Sequence, residues 1–86
     1  MFTIIRIPRV KSKIGYTSNS SVYAHVADET LVPPIKIGPR ASGWVEQEVD
    51  IIIAARIAGM TDAEIRDLVR KLVAQRKKLI PSEVVG

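Results

Sequence analysis

The sequence predicts a mostly α fold with a small β-hairpin, arranged as a winged helix-turn-helix with an additional C-terminal helix. Three observations carry that reading. Ile35 and Ile37 flank Lys36 with the period-2 alternation of a half-buried strand. Gly38-Pro39-Arg40 then signals a turn, since Gly tolerates positive φ and Pro pre-sets φ; Ala41 to Val45 can form the returning strand. Apolar residues at helical spacing frame this ribbon on both sides. Finally, positive charge gathers in the half of the chain that holds the ribbon. Residues 1–44 carry Arg6, Arg9, Lys11, Lys13, Lys36 and Arg40 against Asp28 and Glu29, whereas in residues 45–86 basic and acidic groups cancel.

Taken in order, Phe2, Ile4, Ile5 and Ile7 form an apolar lead-in that suits a short strand or an extended arm. Pro8 fits the first turn of a helix, where its missing N–H costs nothing. Ile7, Val10 and Ile14 fall at i, i+3 and i+7, and Gly15 closes that helix. Thr17-Ser18-Asn19-Ser20 offers several N-caps for a second helix, whose Val22 and Val26 share one inward face. Helix, tight turn and helix within about twenty residues is the helix-turn-helix arrangement. Residues 30–34 read as a loop ending in consecutive prolines.

Glu46 and Glu48 suit a helix N-terminus, and a third helix is expected over residues 45–60 with Val49, Ile52, Ile53 and Ile57 as its stripe. Thr61-Asp62-Ala63-Glu64 is a capping box. The fourth helix follows from Asp62 to about Leu79, with Ile65, Leu68, Val69, Leu72 and Val73 on one face, until Pro81 stops it. In domain terms this gives a winged helix-turn-helix unit over 1–58, a C-terminal helix over 59–80 that packs on it or on a partner, and a flexible tail over 81–86.

With 86 residues the chain holds one domain with a modest core. It has no cysteine and one histidine, His25, so neither a disulfide framework nor a Cys or His metal cluster can be built. No apolar run reaches the ~18 residues of a membrane span, and no signal peptide stands at the start. A cytoplasmic protein is expected, with no cofactor, metal, membrane or small-molecule substrate. There is no P-loop, no GxGxxG and no Ser/His/Asp grouping, which argues against an enzyme.

The residues Arg6-Ile7-Pro8-x-Val10, the Ser-rich turn, Ser21-Val22-Tyr23, Ile35-Lys36-Ile37-Gly38-Pro39-Arg40 and Gly43-Trp44-x-x-x-Glu48-Val49 resemble the AlpA-type phage regulators over roughly residues 5–58. Those are small winged-helix DNA-binding proteins related to excisionases and to the MerR DNA-binding head. The resemblance implies double-stranded DNA as partner, the second helix in the major groove, and the wing along the backbone or in the minor groove. It implies transcriptional regulation, or control of excision of a prophage or genomic island. One departure concerns the second helix, where the family commonly has arginines and this chain has Asn19 and Ala24.

The expected DNA-binding residues are Arg6, Arg9, Lys11 and Lys13 as backbone clamps, Ser18, Asn19, Ser20, Ser21 and Tyr23 on or before the second helix, and Lys36 and Arg40 on the wing. Trp44 reads as a core anchor of the hairpin rather than a base-stacking platform. His25 reads as a surface or hydrogen-bonded side chain. A domain this small needs a homodimer or tandem assembly for useful affinity. The rival reading is an antitoxin-like adaptor that dimerises through the C-terminal helix.

Overall fold

A computed structural model of the protein describes residues 2–79; the tail expected over 81–86 lies outside them. The chain runs β1 (Ile4–Ile5), α1 (Ile7–Ile14), α2 (Asn19–Ala27), β2 (Ile35–Gly38), β3 (Ala41–Val45), α3 (Glu46–Ile57) and α4 (Asp62–Gln75), closing in a 3-10 turn, Arg76–Leu79. It is thus mostly helical with a small antiparallel sheet of order β1-β3-β2, compatible with a winged helix-turn-helix. Pro8 sits in the first turn of α1, and Gly15 ends that helix at φ +90°, where a side chain would be strained.

The lead-in is a strand because β3 accepts it: Ile4 pairs with Val45 and Ile5 with Trp44. Gly43 makes that approach feasible. A Cβ there would collide with the Ile4 side chain and stand 3.1 Å from the Ile5 carbonyl oxygen. On the other edge Ile35 pairs with Gly43, Lys36 with Ser42 and Gly38 with Ala41, with an irregularity between Lys36 and Gly38. The residue left over is Ile37, which stands exposed. Pro39 and Arg40 form the turn.

The core gathers Ile5, Val10, Val22, Leu31, Val32, Trp44, Val49, Ile52, Ala55, Ile65 and Val69. Three helical expectations need correction. The third helix is shorter than residues 45–60: Val45 completes β3, and Gly59 turns the chain at φ +81°. Its buried line is Val49, Ile52 and Ala55, while Ile57 is 83% exposed. Two residues past Ala55 is about 200° around a helix, so Ile57 faces away. The fourth helix stops at Gln75 and tightens into the 3-10 turn, its Arg76 N–H bonding Val73. The capping box does form: the Thr61 hydroxyl accepts from the Glu64 N–H at 3.2 Å, and the Glu64 carboxylate accepts from the Thr61 N–H at 2.9 Å.

Residues 30–32 form a loop that is buried rather than superficial. A buried loop needs partners for its backbone polar groups, and four groups over residues 30–33 find theirs in other parts of the protein. The His25 carbonyl accepts from the Thr30 and Leu31 N–H groups, the Trp44 indole N–H donates to the Val32 carbonyl at 2.9 Å, and Arg76 Nη2 donates to the Pro33 carbonyl at 2.8 Å. Arg76 also grips the buried Glu48 carboxylate, with a shortest contact of 2.7 Å. After α2, Glu29 adopts φ +63°, a left-handed conformation uncommon for a side-chain-bearing residue. Arg70 of α4 holds it through two hydrogen bonds, of 3.0 and 3.3 Å.

Two stability outcomes follow. Glu48→Ala or Arg76→Ala leaves one charge of a buried pair unmatched and is expected to cost about 3 kcal/mol, while Lys71→Ala, beside exposed Asp67, should cost less than about 0.5 kcal/mol; urea unfolding measures both. Arg70 holds the Glu29 carboxyl below its ordinary value of 4.5, and the Thr61 backbone N–H and hydroxyl do the same for Glu64. Both depressed values stabilise the fold above about pH 4.5 and stop doing so as pH falls through the folded values. Thermal melts across this range should show the loss, and Glu29→Gln or Glu64→Gln should flatten it.

Candidate nucleic-acid interface

Helix α2 has the sequence NSSVYAHVA and presents two faces. Val22 is fully buried and Val26 packs against the core. Asn19, Ser20, Tyr23, Ala24 and Ala27 are exposed and make one continuous outer stripe. Ser18 is the N-cap: its hydroxyl accepts from the Ser21 N–H at 3.1 Å and lies 3.0 Å from the Ser21 hydroxyl. Two of the five expected readers are therefore engaged in starting the helix. Asn19, Ser20 and Tyr23 keep polar groups with no protein partner among the described residues.

Tyr23 is half exposed and lies tilted against Trp44, ring centroids 6.2 Å apart, where α2 meets β3. Trp44 itself is 1% exposed, which rules out a base-stacking role and leaves it as the anchor of the hairpin. His25 stacks face to face on Tyr16 at 4.4 Å, and its Nδ1 is 2.9 Å from the Thr30 hydroxyl. It is a hydrogen-bonded histidine at the edge of the core. Tyr16 is pushed up by burial, with the neighbouring Arg56 opposing.

The basic residues divide into two populations. From Arg56 to Arg76 every Arg and Lys is in an ion pair: Arg56 with Asp62, Arg66 with Asp28, Arg70 with Glu29, Lys71 with Asp67, and Arg76 with Glu48. In the N-terminal half, Arg6, Lys11, Lys36 and Arg40 form no ion pair among the described residues, and Arg9 only grazes Glu46 at 3.9 Å. Lys13 differs from its neighbours. It lies 2.6 Å from Asp50 and 3.1 Å from Glu46, contacts that raise its pKa, Asp50 foremost. Of the expected clamps it is the one whose charge is already answered from within the protein.

Arg66 also donates to the Asp28 carbonyl at 3.0 Å. Helix α4 thus neutralises both acids of the N-terminal half and grips the two residues that follow α2. Sequence reading missed this grip, and also the Lys13 pairing. Only the Thr17-Ser18-Asn19-Ser20 run carried a local signal that a hydroxyl would be spent on capping. Among the described residues no helix is long and apolar enough to cross a membrane.

Ser18→Ala is expected to cost about 1 kcal/mol through the lost cap, whereas Asn19→Ala, which breaks no contact, should stay within about 0.5 kcal/mol; paired urea titrations decide it.

A family model described as prophage CP4-57 regulatory protein (AlpA) matches residues 3–57. No curated protein and no solved structure matches the chain.

Proposed function

The chain belongs to the AlpA family of prophage regulatory proteins, and we propose that it binds duplex DNA sequence-specifically, as a transcriptional regulator or excisionase of a prophage or genomic island. The observation that carries the reading is the separation of its cations: every one from Arg56 to Arg76 is ion-paired, whereas among the described residues Arg6, Lys11, Lys36 and Arg40 of the N-terminal half are not, Arg9 stands 3.9 Å from Glu46, and Lys13 is the exception. A surface that must meet phosphates has to keep its positive charge unanswered by its own carboxylates.

In this reading α1 and α2 are the helix-turn-helix, and β2 with β3 is the wing. Helix α2 enters the major groove, where residues near its N-terminus, Asn19 and Ser20, meet base edges. Arg40 at the wing tip and Lys36 beside it reach backbone or minor groove. Arg6, Arg9 and Lys11 clamp phosphates near the first helix, contacts that set register without reading sequence. The Tyr23 hydroxyl, between helix and wing, is placed for a phosphate as well. Residues 1–58 are the DNA-binding part, and α4 braces it through Asp28 and Glu29. Useful affinity would come from a homodimer or tandem binding on adjacent sites.

Fluorescence anisotropy with duplexes from upstream of its own gene or of a neighbouring integrase gene tests the reading. About four to six phosphate contacts imply a loss of roughly two to three orders of magnitude in affinity between 50 and 200 mM salt. Arg40→Ala should weaken cognate and random DNA by similar factors and lower the salt slope by about one. Salt-insensitive binding, or no binding to any duplex, sinks the proposal.

A further inference from the structure

Resting on the DNA-binding reading, we propose that α2 reads an A·T-rich half-site, with the Asn19 amide on an adenine and the Ala24 methyl against a thymine methyl, and without any guanine contact by a basic side chain. The argument begins with what the outer face of α2 lacks. Guanine is recognised in the major groove chiefly by a bidentate Arg or Lys on O6 and N7, and α2 contains neither residue. Apart from the Ser20 and Tyr23 hydroxyls, which carry no base-specific donor and acceptor pair, the other polar groups nearby are committed. The Ser18 hydroxyl caps the helix and the Ser21 hydroxyl is hydrogen-bonded to it, and His25 is bound to Thr30 and covered by Tyr16. Asp28, the carboxylate at the helix end, is held by Arg66.

What the face offers is equally specific. Asn19 is exposed and is the first residue of the helix, and its side-chain amide makes no hydrogen bond within the described protein. Its amide carries the donor and acceptor that match adenine N7 and N6. Ala24, on the same stripe, presents a bare methyl, the partner that suits the thymine C5-methyl. Ser20, Ala24 and Ala27, at i, i+4 and i+7, are all small and exposed, so the helix can sit close enough for the short Asn19 side chain to reach a base. The wing favours the same composition. Arg40 is an unpaired guanidinium on a turn, and A-tracts narrow the minor groove and deepen its negative potential.

Selection of tight binders from a random duplex pool, followed by titration of the enriched duplex, tests the inference. Enrichment of A·T pairs is expected, with 7-deazaadenine at one position and uracil for thymine at a neighbour each weakening binding severalfold. Asn19→Ala should erase about tenfold of discrimination at the adenine, and Asn19→Arg should move preference at that position toward guanine. A G·C consensus, or a consensus indifferent to Asn19→Ala and to both base analogues, overturns this inference while leaving DNA binding in place. Failure to bind any duplex overturns the DNA-binding reading itself.

Discussion

The connection between α2 and the hairpin, buried at residues 30–32 and continued by Pro33, is the constraint on which the rest of the structure depends. A segment withdrawn from water must bond its backbone within the protein, and each orphaned group would cost about 1–3 kcal/mol. Its partners come from three separate places: the His25 carbonyl on α2, the Trp44 indole on β3, and Arg76 beyond α4. Bonding these four backbone groups therefore ties the helix, the hairpin and the C-terminal turn to one another. Trp44 and Arg76 act as tethers as much as core and charge.

The surface ion pairs tell a different story from the buried one. Arg66–Asp28, Arg70–Glu29 and Lys71–Asp67 are solvent-exposed and contribute little to stability individually. Their effect is on the field. By answering Asp28 and Glu29 from α4, the protein removes the two negative charges that would otherwise sit beside α2. Lys13 shows the reverse, a cation subtracted from the surface by Glu46 and Asp50.

Much of the fold was legible because it is written in local patterns. Gly15, the serines before α2, the Thr61 capping box and the Gly38-Pro39-Arg40 turn signal each specify conformation within a few residues, whereas the alternation around Lys36 breaks at Ile37, which stands exposed at the strand irregularity. The AlpA resemblance read over roughly 5–58 agrees with the family match over 3–57. What stayed hidden depends on residues far apart in sequence. Nothing near Ile4 announces that Gly43 leaves room for it, and nothing near Arg76 distinguishes it from Lys77 and Lys78, yet it turns inward to Glu48 and Pro33. Periodicity also misplaced Ile57, because the stripe counted apolar residues without knowing that Ala55 would face the core. At the candidate interface, side-chain type marked which residues could meet DNA, but only the three-dimensional pairing separates Lys13 from Lys36 and Arg40, or Ser18 and Ser21 from Asn19 and Ser20.

The outward stripe of α2 has a consequence for how such a protein can diverge. Asn19, Ser20 and Ala24 are exposed and bear no part of the helix cap, the core or the ion-pair lattice, while Ser18, Val22 and Val26 between them carry the folding of that helix. Substitutions at the three positions are thus nearly free of folding penalty, provided they keep helix propensity. A lineage could exchange them one at a time and acquire a new recognition sequence without passing through an unfolded intermediate. If α2 reads DNA as proposed, mutational tolerance and discriminating power fall on the same few residues, the arrangement expected of a module that must keep pace with changing genomic neighbours.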